Sequence, residues 1–144
     1  MEGMQAYARR HFKDLPRDRT HVLCVDTVGS PELVMLEGEG MLRMNDYPEG
    51  FKALVAACAD EAGVHLRRGL RFRNATDGLI ALRAGYPTTM LGSVNRYKLP
   101  DNYHWPTDVP DNVDYSTIAG AIKLCEAVIR KLSIWTVDTI PDQK

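Results

Sequence analysis

Two side chains in this sequence combine metal-binding chemistry with a position where α/β folds place their sites. Asp26 closes a short apolar run, His21-Val-Leu-Cys-Val25. His104 sits in the segment Asn102-Tyr-His-Trp-Pro-Thr-Asp-Val-Pro-Asp111, which is dense in aromatic and acidic residues. Ligands of open α/β sheets gather beyond the carboxyl ends of strands. A carboxylate ending a strand buried on both faces would need a metal, a salt bridge or backbone N–H groups to offset its burial. A long irregular loop in a compact domain commonly carries function. Each residue also has a plainer reading, Asp26 as a strand-end cap or turn carboxylate and His104 as a packed or surface histidine. Their separation in sequence does not decide between these readings.

The remaining candidates are weaker. His11 follows two arginines on a helical segment and is expected on a solvated face. His21 and His65 stand at strand starts, the end opposite a site. Glu37-Gly-Glu-Gly40 offers two carboxylates on one face of an extended segment, but acid–base work needs a facing partner. A solvated edge or turn is the simpler expectation there. Its Gly-x-Gly lacks the third glycine of a dinucleotide loop. Asp60 and Glu61 fall on an exposed helix face. Cys24, Cys58 and Cys125 are odd in number, have no Cys-x-x-Cys pair and lie in apolar patterns, so they read as small buried hydrophobes.

The elements that must position these groups follow from periodicity. Met4, Tyr7, Ala8 and Phe12 predict a helix over 3–14, stopped by Pro16. The run 21–25 predicts a strand, as do 33–36, part of 64–72, and 88–91. Phe51, Leu54, Val55, Cys58 and Ala62 mark an amphipathic helix ending at Gly63. A short helix is expected over 76–84, ending at Gly85. An irregular loop follows over 92–112. The last helix carries Ile118, Ala121, Ile122, Cys125, Val128, Ile129 and Leu132, capped by Asp114 or Ser116, with a frayed tail after Trp135. Alternating strands and helices predict an α/β three-layer sandwich with a mostly parallel or mixed sheet. About four strands are a small sheet for that architecture.

Composition bounds the function. The chain has 144 residues, 44% hydrophobic and 26% charged, with a formal net charge of −1. Dispersed Lys and Arg argue against an electrostatic nucleic-acid binder. No apolar run reaches the roughly 20 residues of a membrane span. Met1-Glu2-Gly3-Met4 lacks a signal-peptide layout, so a cytoplasmic location is expected if Met1 is the native start.

Three blocks carry a resemblance. Val22-Leu-Cys-Val-Asp26-Thr-Val-Gly29, Ala75-Thr-Asp-Gly78 with Ala84-Gly-Tyr-Pro87 and Met90-Leu91, and Tyr103-His104-x-x-x-Asp108 together resemble, in order and approximate spacing over roughly residues 4 to 133, two-zinc exopeptidases of the bacterial leucyl aminopeptidase and glutamate carboxypeptidase type. The resemblance implies that Asp26 and His104 are metal ligands, that Tyr103 faces the substrate as an oxyanion donor, and that Asp108 orients His104. It also implies that the two should meet at the carboxyl edge of the sheet. Gly78 stands where the family has a histidine. The family's His-x-Asp and Glu-Glu segments have no counterpart, so this chain contains no general base. The expectation is therefore the C-terminal portion of one metallopeptidase domain, truncated at its N-terminus, whose complete form hydrolyses peptides with two zinc ions and a bridging water. Alone it is expected to be inactive and prone to self-association. A non-catalytic remnant or interaction domain on the same fold is the alternative.

Overall fold

Residues 33–36 and 90–91 are apolar on successive positions, the pattern of strands covered on both faces, and the fold is built around them. The structure, a computed structural model, describes residues 1–137. In chain order it contains α1 (Glu2–His11), β1 (Val22–Val25), β2 (Glu32–Glu39), β3 (Asn45–Asp46), α2 (Glu49–Ala62), β4 (Arg67–Phe72), α3 (Gly78–Arg83), β5 (Thr88–Val94) and α4 (Tyr115–Val137), with single 3-10 turns at Phe12–Asp14 and Pro110–Asn112. The expected elements are present, and β3 is added to them. The segments 33–36 and 88–91 extend further than their apolar runs, because Glu39 and Ser93 are taken into the sheet. The tail expected to fray after Trp135 is helical to Val137, and the rest of it lies outside the described residues.

The sheet is mixed. β1 runs parallel to β5 from Val22↔Thr88 to Val25↔Leu91, and β2 is antiparallel to β5 from Glu32↔Val94 to Met35↔Leu91. β4 runs parallel to β2 with register shifts on either side of Leu36, and β3 pairs antiparallel with Gly38 and Glu39. Since β4 occupies one edge of β2, β5 and β3 share the other. Leu33, Met35 and Leu91 pack against Phe51, Val55 and Cys58 of α2 and Ala121, Leu124 and Val128 of α4. Val34, Leu36, Met90 and Val94 point to the opposite face, against Tyr47 and Leu82. Alternation along β2 thus divides two cores between two helical layers, which makes the α/β three-layer sandwich.

Local chemistry sets the ends. Gly63 caps α2 at φ 63°, its N–H bonding back to Asp60, a left-handed position that suits glycine. Asp114 caps α4, its Oδ1 accepting N–H bonds from Ser116 at 3.0 Å and Thr117 at 3.1 Å. Those bonds, led by the Ser116 hydroxyl, hold the Asp114 carboxyl below its ordinary value.

Three expectations are corrected. First, β1 is not buried on both faces. Among the described residues it pairs only with β5, and Val25 and Asp26 are exposed. No burial penalty on Asp26 therefore calls for neutralisation. Second, Glu37 and Glu39 neither share a face nor form a solvated edge. Glu37 meets Lys52 and Arg68 beside α2, whereas Glu39 is 0% exposed and bonds Tyr47 and Thr76. The irregular register of β2 against β4 breaks the simple two-residue alternation there. Third, of the three cysteines expected to be buried only Cys58 is, while Cys24 and Cys125 are half-buried. On α4 the apolar stripe is wider than the buried face. Ala121, Leu124 and Val128 are buried, while Ile122 and Ile129 are over 60% exposed beside Val25 and Val28. His11, His21, His65, Asp60 and Glu61 are all exposed, and the three cysteines are free. Burial pushes each thiol above its ordinary value. Among the described residues no helix is long and apolar enough to cross a membrane.

Two tests follow from this packing. Leu124→Ala should cost about 2–5 kcal/mol, the range for truncating a fully buried leucine, whereas Ile122→Ala should cost under about 0.5 kcal/mol as an exposed site; urea denaturation separates them. For Glu37, burial raises the carboxyl, but hydrogen bonds from Lys52 and the Gly69 N–H outweigh it, and the net shift is downward from 4.5. A depressed carboxyl contributes stability that is present above its unfolded value and lost as pH falls through its folded one. Wild-type stability should therefore fall as pH drops below about 4.5, and Glu37→Gln should make that fall shallower in a pH series of melts.

Candidate functional site

The carboxyl ends of β1 and β5 open on the same edge because the two strands run parallel. Asp26 leaves β1 with its N–H still bonded to the Leu91 carbonyl at 3.0 Å. Thr27 follows at φ 55°. A β-branched residue in the left-handed region carries strain of about 1–3 kcal/mol, and neighbouring bonds hold it there. Its carbonyl accepts from the Ser93 hydroxyl at 2.6 Å and the Ser93 N–H at 3.0 Å. Its own hydroxyl donates to Asp26 Oδ1 at 3.0 Å.

Ser93 extends this turn into a network. Its Oγ accepts the Ser30 N–H at 2.7 Å, and Ser30 Oγ accepts the Asp101 N–H at 2.8 Å. Asp101 Oδ1 accepts from Asn95 Nδ2 at 2.6 Å, and the Gly29 carbonyl accepts the Asp114 N–H at 2.8 Å. Both ends of the loop between β5 and α4 are thereby fastened to residues 27–30. Within the loop Asn102 and His104 also have positive φ, 56° and 61°, which turns the chain sharply on each side of Tyr103.

The result is a small cleft. Asp26, Thr27, Ser93 and Tyr103 line it from the β1 and loop sides, Asn74 and Thr76 from the turn before α3, and Phe72 and Met90 give it an apolar wall. Its volume of about 30 Å³ exceeds the ~10–15 Å³ that one water needs, so it accommodates a water or an ion rather than a side chain.

The residues singled out from sequence are placed unevenly around this cleft. Asp26 and Tyr103 face it together. His104 is exposed and outside its lining, with its ring against Tyr103 at a centroid separation of 4.1 Å. Asp108 is exposed, its N–H bonds the Trp105 carbonyl at 3.0 Å, and its carboxylate forms no hydrogen bond to His104. Gly78 sits in a tight place: an added Cβ would lie 3.1 Å from Cys24 Cβ and 3.3 Å from Tyr47 Oη, so any side chain there would need its neighbours to give by a few tenths of an ångström. Among the described residues no three His, Cys, Asp or Glu side chains converge. Zinc sites take three or four protein ligands, so Asp26 and His104 do not by themselves fit a complete zinc centre.

Sequence reasoning missed Thr27, Ser30, Asn74, Thr76 and Ser93. Ser93 did leave a signal, a hydroxyl in the otherwise apolar Met90-Leu-Gly-Ser-Val94 run, where a buried polar group needs a partner. Thr27 left none, because left-handed backbone at a threonine is imposed by its surroundings. Compared with protein families, with curated proteins and with solved structures, the chain matches none.

Ser93→Ala removes the acceptor of the buried Ser30 N–H and one donor to Thr27. It should destabilise the protein by about 1–3 kcal/mol, measured by urea denaturation, and accelerate amide exchange at Ser30 and Asp101 more than at Val34.

Proposed function

We propose that this chain supplies part of the metal- and substrate-facing surface of a zinc-dependent exopeptidase of the aminopeptidase and carboxypeptidase type, and that it is not a complete catalyst by itself. The observation that carries this reading is the meeting of Asp26 and Tyr103 in one cleft at the carboxyl ends of β1 and β5, with the His104 ring edge-on against Tyr103. Asp26 would contribute a carboxylate oxygen and His104 an imidazole nitrogen to a metal. Tyr103, half exposed at the rim, would offer its hydroxyl to a carbonyl oxygen of a bound peptide. Further ligands and a carboxylate base would have to come from outside the described residues, and no catalytic residue is assigned within the chain.

The substrate class under this reading is a peptide with a free terminus. Association between copies would involve the β1 edge, where Val25, Ile122 and Ile129 leave apolar surface exposed, since an open strand edge favours pairing with another strand. A second reading, a non-catalytic interaction domain, is favoured by one specific observation: among the described residues, no third His, Cys, Asp or Glu converges with Asp26 and His104.

Purified chain with excess zinc and an aminoacyl chromogenic substrate should turn over at the rate of the buffer control, with folding verified by circular dichroism. Zinc-dependent turnover that disappears in His104→Ala would mean that the chain carries a working site of its own.

A further inference from the structure

Glu39 is the only acidic residue among the fully buried side chains of the described residues, at 0% exposure. A carboxylate taken out of water is costly by several kcal/mol unless its oxygens are fully hydrogen-bonded. Glu39 meets that condition with three donors: Tyr47 Oη at 2.5 Å, the Thr76 N–H at 2.7 Å and Thr76 Oγ1 at 2.9 Å. Burial, then the bond and charge of Glu39, raises the Tyr47 phenol well above its ordinary value, so Tyr47 remains a donor.

Two of the three bonds come from Thr76, which also lines the cleft. The same Thr76 hydroxyl accepts the Gly78 N–H at 3.2 Å and the Cys24 thiol at 3.7 Å. Cys24 is in β1, two residues before Asp26. Among the described residues, every hydrogen bond that ties residues 73–77 to the sheet passes through Thr76. One buried carboxylate therefore joins β2, the turn before α3 and, through the threonine hydroxyl, the strand that presents Asp26.

We propose that Glu39 is a positioning residue for the cleft. Its carboxylate clamps the 74–78 turn against β1 and so fixes where Asn74 and Thr76 stand opposite Asp26 and Tyr103. Glu39 touches no ligand itself, and the clamp operates whether or not a metal binds at Asp26. A purely stabilising role would be served as well by apolar side chains of similar volume, which are often neutral or better at buried charged positions. The clamp role requires an acceptor of two bonds from one residue of the cleft wall.

Amide hydrogen exchange and ¹H–¹⁵N spectra of the full chain separate the two. In Glu39→Leu, of similar volume, both acceptor oxygens are lost and the Thr76 N–H and hydroxyl have no partner there. Exchange at Thr76 should accelerate about tenfold or more, as for loss of a hydrogen bond to a charged group. The Asn74, Asp26 and Thr27 signals should shift, while Val34 and Leu91 at the centre of the sheet change less. Tyr47→Phe removes one donor to Glu39 and leaves both Thr76 bonds to Glu39 in place, so it should lower the melting temperature and leave the exchange at Thr76 within about twofold of its wild-type ratio to Val34. If Glu39→Leu does not fold, Thr76→Val, which keeps the N–H bond and loses the hydroxyl, should shift the same cleft signals. The proposal is overturned if Thr76 remains protected in Glu39→Leu, if Glu39→Leu and Tyr47→Phe affect the cleft equally, or if Thr76→Val leaves Asn74 and Asp26 unmoved.

Discussion

The antiparallel pairing of β2 with β5 is the constraint on which the rest of this structure depends. Each other strand is attached to one of these two: β1 to β5, and β3 and β4 to β2. From Leu33 to Leu36, and across all of β5, the residues are buried, so successive side chains feed opposite cores. A one-residue slip in this pairing would exchange the two faces. A slip of β5 against β2 would send Leu91 toward the α3 layer and Met90 toward α2 and α4. Because β1 reads its register from β5, such a slip would also displace Asp26.

The cleft inherits its geometry from this pair, and hydrogen bonds complete it. Ser93, in β5, holds Thr27 in a left-handed conformation and links through Ser30 to the loop that carries Tyr103. On the far side, Glu39 in β2 holds Thr76. Polar side chains of the two central strands thus reach out to opposite walls of the same small space. The strain at Thr27 is consistent with a turn held by its surroundings rather than selected by local preference. These bonds place a carboxylate, a phenol and several hydroxyls within one cleft, and they leave His104 on its outer rim.

Much of the architecture was legible in the sequence because it depends on periodicity and on glycine. The apolar spacing of Phe51, Leu54, Val55 and Cys58 announces α2, and Gly63 marks its end. The alternation of strands and helices announces the layers. Two errors have a common origin. Treating 21–25 as a doubly covered strand, and 37–39 as a solvated edge, both assumed that burial follows local composition. In the folded chain it follows position in the sheet: an apolar run can sit at an edge, and a glutamate can be enclosed once a tyrosine and a threonine from elsewhere satisfy it. The strand Asn45–Asp46 has only two residues and no apolar pattern, so periodicity could not reveal it. At the cleft, Asp26 and Tyr103 were visible as residue types in suggestive places. The serines and threonines that position them were not, since their roles arise from contacts as distant in sequence as Ser30 with Ser93 and Glu39 with Thr76.

A shared site requires Asp26 and His104 to act on one ligand although they arrive on separate segments. A zinc titration followed by ¹H–¹⁵N spectra of the whole chain tests that directly. The account predicts weak, saturable binding, because only two protein groups are at hand where a zinc centre takes three or four, with perturbations at residues 25–28 and 102–105 rising along one isotherm. It also predicts that Asp26→Ala and His104→Ala each remove the perturbations at both segments. Perturbations confined to one segment, or unchanged in either variant, would contradict a shared site.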